Sequence, residues 1–259
     1  AWAIYPSGGF FMQSDAVGTL RFKEVRESMK TDVVIVGAGP AGIFTAIEML
    51  RKDSAKKIVI VEKGKSVENR HCPKAKTQKC MNCKPYCHIT TGFSGAGAFS
   101  DGKLSLSSEV GGDLPMLIGE TLAQDTIDYT DKIYLEFGAD EHIEGLNVGE
   151  EVKEIRKRAI QAGLKLVDCP IRHMGTEKAQ SIYLSIEKYL QNHGVEILFD
   201  YECNTLFIED GICKGVSVTK ADGSKSMDIF AEDTVVATGR RGADWLEKLC
   251  EKYGVEHVA

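Results

Sequence analysis

The stretch TDVVIVGAGPAGIFTAIEML, residues 31 to 50, leaves the chain around it little choice of fold. Val33 to Val36 form a short apolar run that reads as a strand, and the run stops at Gly37. Ile43, Ala46, Ile47 and Leu50 then recur at helical spacing. The order is strand, glycine turn, helix. Gly37, Gly39 and Gly42 make a G-x-G-x-x-G, with Pro40 and Ala41 inside it. In such a turn the first glycine permits the tight bend, the second lets backbone approach a pyrophosphate, and the third lets the helix pack on the strand. The free N–H groups and positive dipole end of the helix then face the phosphates. A second apolar run, KIVIVEKG, ends in Glu62, twenty residues after Gly42, and Lys63 follows it. An acidic residue at that distance is expected to take the ribose hydroxyls. A lone glycine turn is weak evidence of a ligand. With a strand before it, a helix after it and Glu62 in place, dinucleotide binding is the expectation rather than a bare structural turn.

Composition excludes several other classes. The net charge is −6, from 38 acidic and 32 basic residues, and no long basic run provides a footprint for nucleic acid. No apolar stretch approaches the roughly 18 residues of a membrane span, and the start lacks the basic and apolar pattern of a secretory signal. The reading is a soluble, cytoplasmic protein with no nucleic-acid or membrane partner. Residues 1–28 have no sustained period and read as a leader, since a strand follows directly on Met29.

Downstream, GVEILFDYECNTLFIEDGICKGVSVTKADGSKSMDIFAEDTVVATGR reads as a strand from Val195 to Phe199, two strands around Asp210-Gly211, a further hairpin at Asp222-Gly223 and a last strand ending in ATG. Taken alone it is an ordinary β-meander. Together with VVIVGAGPAG and VIVEKG, however, it resembles the FAD-binding segment of the glutathione-reductase-like flavoprotein superfamily. The resemblance implies a Rossmann-like α/β domain, a parallel sheet with a β-meander. It implies FAD as cofactor, with Cys203 lending backbone contacts to the adenine and Ala237, Thr238 and Gly239 lining the site. Further segments, RHCP, CMNCKPYCHITTGFSGAGAFSDGKLSLSSEVGG and IYLEFGA, are similar to a family of uncharacterised FAD-dependent dehydrogenases. GFSGAGAFSDGK is too small and polar for a core but lets backbone come close to a ligand. Gly95, Ala96, Gly97, Ser100, Asp101 and Lys103 are therefore candidate flavin neighbours. Lys103 is either a cation near the flavin, stabilising the reduced ring, or a solvated surface lysine.

Residues 113–193 read as a substrate-side insertion between two parts, 29–112 and 194–259, of the FAD-binding domain. LPMLIGETLAQDTIDYTDKIYLEFG, GEEVKEIRKRAIQAG and AQSIYLSIEKYLQNHG are helical by period, and a strand is expected to end near Cys169-Pro170. In PIRHMGT, Arg172 can clamp a substrate carboxylate and His173 can move a proton near neutral pH. The alternative is that both simply pack at a domain seam.

The chain has eight cysteines, and Cys72, Cys80, Cys83 and Cys87 fall together in HCPKAKTQKCMNCKPYCH. Thiols so close can hold zinc or an iron–sulfur cluster, with His71 or His88 replacing one ligand. They can also form a redox dithiol, or remain reduced with a local structural role. The spacing departs from zinc ribbons and from the bacterial ferredoxin run. It departs as well from the dithiol of the superfamily's disulfide reductases, where the two cysteines stand four residues apart.

Superfamily members continue well past the ATG strand, so the resemblance implies the N-terminal part of a longer fold. The reading is an FAD-dependent oxidoreductase passing hydride or electrons between a small-molecule substrate and a redox partner, with NAD(P)H a candidate reductant. The rival is a non-catalytic FAD- or NAD-binding module, or an incomplete subunit that needs a C-terminal partner.

Overall fold

The computed structural model describes residues 10–14, 20–24, 26–146 and 149–257. The chain divides into two units. The first comprises the residues up to Gly95 and from Tyr189 onward, and the second comprises Ala96–Lys188. The described chain opens with β1 (Phe10–Ser14) and β2 (Leu20–Glu24), paired antiparallel. Much of the leader expected over residues 1–28 lies outside the described residues, and its last two positions already belong to β3 (Glu27–Val36). α1 (Pro40–Lys52), β4 (Ile58–Glu62) and the single-turn α2 (Lys74–Thr77) follow.

The second unit holds β5 (Lys103–Ser105), α3 (Leu114–Ile118), α4 (Glu120–Glu136), α5 (Glu150–Gln161), β6 (Ile171–His173) and most of α6 (Thr176–Asn192). The helical segment after residue 113 is broken at Gly119, whose φ of +87° no right-handed helix accommodates. The short strand begins at Ile171 rather than ending at Pro170. Pro170 has no N–H to give a ladder and offers only its carbonyl, to Leu106. The unit boundary falls at Ala96, where the sequence placed it at residue 113. The reason is local: β5 pairs antiparallel with β6, and a Cβ at Gly97 would sit 2.7 Å from the Tyr183 hydroxyl, so this stretch packs inside the second unit.

After α6 the chain returns to the first unit through β7 (Glu196–Phe199), β8 (Tyr201–Glu209), β9 (Ile212–Lys220), β10 (Ser226–Val236) and α7 (Ala243–Tyr253). The six-stranded sheet runs β7–β4–β3–β10–β9–β8. β7, β4, β3 and β10 are mutually parallel, and β8 to β10 form the antiparallel meander read from the sequence. The result is a mixed α/β fold around a mostly parallel sheet.

Val33 and Ile35 are buried on one side of β3, Val34 and Val36 on the other, as the two-residue pleat requires. On the Val34 side the core continues through Val59, Val61, Val216, Val218, Met227 and Ile229, with Trp245 of α7 packed against it. α1 buries Ile43, Ala46, Ile47 and Leu50. Each large aliphatic side chain there contributes about 1.5–3 kcal/mol over its exposed state, so a charge at Ile47 would undo the packing that aims the helix N-terminus. β3 is where the strand order diverges, toward β4 on one side and β10 on the other. In open α/β sheets such a point leaves a crevice at the strands' carboxyl ends.

Candidate functional site

The glycine turn lies at that divergence. Gly37 has φ +106°, donates its N–H to Val61 O at 2.8 Å, and a Cβ on it would come 2.5 Å from Ala237 O. Only glycine lets β3 turn so close to the end of β10, where Ala237 N–H bonds Val36 O at 2.8 Å. A Cβ at Gly42 would collide with the Gly37 carbonyl and stand 3.2 Å from Ile35 Cγ2, which closes helix onto strand. Gly39 differs from both. It caps α1 with ordinary φ of −75°, and a Cβ there meets nothing within 4 Å. Its face is open space, beside a helix start with Pro40 first, no side-chain cap and no acidic residue in its first turn. Pro40 and Ala41 are exposed.

Glu62, only 6% exposed, closes the turn from the end of β4. One carboxylate oxygen accepts the Ala38 N–H at 2.9 Å and the other the Gly64 N–H at 2.8 Å. A carboxylate oxygen offers two lone pairs, so each still has one acceptor position left for a hydroxyl. The glycine-rich stretch docks on the same turn, Ser94 N–H donating to Ala38 O at 2.7 Å. Gly95 belongs to the first unit, while Ala96, Gly97, Ser100, Asp101 and Lys103 belong to the second.

Arg70 organises this approach, and sequence reasoning missed it. Its guanidinium, buried, donates to the carbonyls of His88 (2.7 Å), Ile89 (2.7 Å), Phe93 (2.5 Å) and Gly95 (2.6 Å). Five fixed donors on a planar fork suit a side chain that gathers several carbonyls of one loop.

Beyond Lys63 the first unit has a cavity of about 290 Å³, bounded among others by Lys63, Glu202, Arg241, Tyr86, Thr91, Cys83 and Cys87. Tyr86 donates to Asp200 at 3.3 Å, and burial raises its pKa. Cys203 is buried at an irregularity of β8, where the register slips between Cys203 and Thr205. Burial, with the charge of Cys213, pushes its thiol up to about 12, so any role it has toward a ligand falls to the local backbone. Thr238 Oγ1 and Thr91 Oγ1 are buried without a hydrogen-bond partner among the described residues.

Of the readings open for the cysteine segment, the metal site is not preformed among the described residues. Cys72, Cys80, Cys83 and Cys87 are free thiols, and among the described residues no three His, Cys, Asp or Glu side chains are arranged to hold a metal ion. α2 and the left-handed Gln78 (φ 56°) and Asn82 (φ 46°) shape the segment between them, leaving Cys80 exposed and Cys83 and Cys87 half-buried at the cavity's edge. His88 Nδ1 lies 3.2 Å from His71 O instead of pointing to a thiol cluster.

In the second unit, the pairing of Lys103 with His173 across β5 and β6 gathers a charged group. Lys103 Nζ lies 2.7 Å from Asp101, His173 Nε2 3.0 Å from the same carboxylate, and His173 Nδ1 3.5 Å from Glu144. Its hydrogen bond from Lys103, then that from His173, lowers the Asp101 pKa, and the bond to Asp101 raises those of His173 and Lys103. Arg172 turns the other way. It is buried and grips Asp131 at 2.5 and 2.7 Å with two nitrogens, and its third donates to the carbonyl oxygens of Asp140 and, at 3.4 Å, His142. A substrate carboxylate would have to displace Asp131, so the arrangement is that of a structural pair and the expected clamp is not preformed.

Fold and glycine turn together define a mixed α/β architecture around a mostly parallel sheet. Residues 149–258 match the family model described as FAD binding domain. An uncharacterized protein of Clostridium beijerinckii is 26% identical over 239 residues, 89% of this chain and 36% of that protein. The chain thus spans about a third of the length of the curated relative it matches. Among solved structures, 3-ketosteroid-Δ4-(5α)-dehydrogenase of Rhodococcus jostii, in complex with 4-androstene-3,17-dione, is similar in fold, with a TM-score of 0.51 and 16% identity over 88% of this chain and 49% of that one. Glycerol-3-phosphate dehydrogenase of Bacillus halodurans, complexed with FAD, gives a TM-score of 0.48 at 14% identity, covering 86% of this chain and 36% of that one. No helix among the described residues is long and apolar enough to cross a membrane.

Proposed function

We propose that this chain is the FAD-holding part of an oxidoreductase that passes hydride or electrons between a small-molecule substrate and a redox partner. The observation that carries the proposal is the open face of Gly39 at an uncapped helix start, next to the buried carboxylate of Glu62. A phosphate fits where a Cβ would otherwise go, and the N–H groups of Ala41 and Gly42 serve it as donors. The two remaining lone-pair positions of Glu62 take ribose hydroxyls. Lys63 and the backbone at Cys203 border the adenine end, and Ala237, Thr238 and Gly239 close the crevice beside Gly37. The family match over residues 149–258 supports FAD over other dinucleotides. A bound flavin supplies the hydride acceptor that no side chain offers. In the second unit His173, held between Asp101 and Glu144, is the group suited to carry a proton, and Lys103 is the accompanying cation.

The visible spectrum of the purified protein, as isolated and after reconstitution with FAD, tests this reading. The expected result is a stoichiometric flavin band that dithionite bleaches and air restores. A colourless protein that fails to retain added FAD while staying folded would overturn it.

A further inference from the structure

The segment from His71 to His88 is a loop with a closed neck. Arg70, just before it, donates to the carbonyls of His88 (2.7 Å) and Ile89 (2.7 Å) at its far end, and His88 Nδ1 lies 3.2 Å from His71 O. The N–H groups of Thr90 and Thr91 bond Cys87 O at 3.2 and 3.0 Å. Surface loops of this form, with their ends held together, frequently serve function.

The far half of the loop borders the cavity of the first unit. Asn82 to Cys87 form one wall of it, and Lys63, Thr91, Glu202 and Arg241 form the other. Its volume of about 290 Å³ stands at the lower end of ligand pockets, about 300–1,000 Å³, which suits a single nucleoside rather than a whole dinucleotide. Thr91, 5% exposed, has a hydroxyl without a partner among the described residues. A buried hydroxyl left unpaired marks a place where a ligand atom is wanted.

From the loop, Tyr86 reaches the sheet, its hydroxyl donating to Asp200 Oδ1 at 3.3 Å. Asp200 is the single residue between β7 and β8, and its N–H bonds Gly64 O at 3.0 Å. Gly64 N–H in turn bonds the Glu62 carboxylate at 2.8 Å. Three hydrogen bonds in series thus tie Tyr86 to the carboxylate assigned above to the ribose hydroxyls.

We propose that residues 71–88 form a cover over the adenine end of the cofactor, and that the Tyr86 ring, latched to Asp200, is the surface on which the adenine stacks. The inference rests on the FAD reading above and deepens it: the glycine turn serves the pyrophosphate and Glu62 the ribose, and the cover adds a contact made by the base alone. Every base offers a π-face to an aromatic ring, so the contact needs no donor or acceptor on the loop. It asks no chemistry of the four cysteines.

The test is calorimetric titration of the flavin-free protein with FAD and with ADP, which carries the adenine, ribose and pyrophosphate but no flavin. Tyr86→Leu should weaken both about tenfold or more. Tyr86→Phe keeps the ring and cuts the latch, as does Asp200→Asn, whose amide side chain tolerates the left-handed φ of 60° there. Each should weaken ADP a few-fold, and the double variant no further than either alone, since both remove the same bond. ADP should also slow hydrogen exchange in residues 80–88 of the wild type and not of Tyr86→Leu. Unchanged ADP affinity in Tyr86→Leu would overturn the cover and leave the FAD reading standing. So would a wild type that binds FAD but neither binds ADP nor gains protection over residues 80–88. A wild type that binds neither ligand would overturn the FAD reading and the cover with it.

Discussion

Glu62 accepts the backbone N–H of Ala38 at 2.9 Å, so the acidic residue that ends β4 holds the glycine turn that ends β3. Its second oxygen holds Gly64. Glu62→Gln replaces one of these acceptors by an NH2 group facing an N–H donor. Both groups are buried, so the variant should lose about 1–3 kcal/mol in urea unfolding, with weaker FAD retention besides. An unchanged unfolding midpoint would mean that the turn stands without the carboxylate.

The glycines of the turn should separate folding from binding. Gly39→Val adds a side chain in open space at permitted dihedrals, so stability should stay within about 0.5 kcal/mol while flavin content falls to background. Gly42→Ala drives a methyl into the Gly37 carbonyl and should cost about 1–3 kcal/mol. Thermal unfolding and flavin absorbance on the same samples distinguish the two effects. Full flavin in folded Gly39→Val would remove the pyrophosphate from this turn.

Arg70→Lys keeps the charge but loses the fork. One ammonium cannot reach carbonyls at His88, Ile89, Phe93 and Gly95 together, so buried acceptors are left unpaired at about 1–3 kcal/mol apiece. Hydrogen exchange should accelerate in the peptide spanning residues 88 to 95 well before the sheet is affected. Unaltered exchange there would show that the loop holds its course through its own backbone.

These residues also mark how far the sequence could be read. The glycine turn, the meander and the helices announce themselves through period and punctuation, because those signals are local. Arg70 gives no such signal: its partners are backbone carbonyls 18 to 25 residues away, and every residue carries one. Arg172 was visible as a chemical group, but Asp131, which occupies it, lies 41 positions earlier on α4. The cysteine spacing established that four thiols share a loop. Whether their sulfur atoms converge depends on the left-handed residues between them, and while Asn82 is of a type that visits this conformation, Gln78 gives no such signal.

Arg172 and Asp131 offer a direct choice between a structural pair and a substrate clamp. Removing one partner of a buried pair strands the other charge, so Arg172→Ala should destabilise the protein by about 3–5 kcal/mol and Asp131→Asn should do likewise. A clamp predicts something else, a large rise in KM with the unfolding curve unmoved. Denaturant unfolding of both variants decides the matter.

His173 lies between two carboxylates, with Asp101 at 3.0 Å on Nε2 and Glu144 at 3.5 Å on Nδ1. Only the imidazolium has an N–H for each, so the folded state favours the proton, and the bond to Asp101 is the largest cause of the raised pKa. Desolvation of the ring opposes that effect without cancelling it. A pKa raised on folding contributes stability that is fully present below the unfolded value of about 6.5 and fades as pH climbs through the folded one. Asp101→Asn should therefore lower the His173 titration midpoint measured by NMR and flatten the decline of stability across that same window. If the midpoint fails to move, Glu144 rather than Asp101 holds the proton on the ring, and the proton-carrying role passes to the Glu144 side of the imidazole.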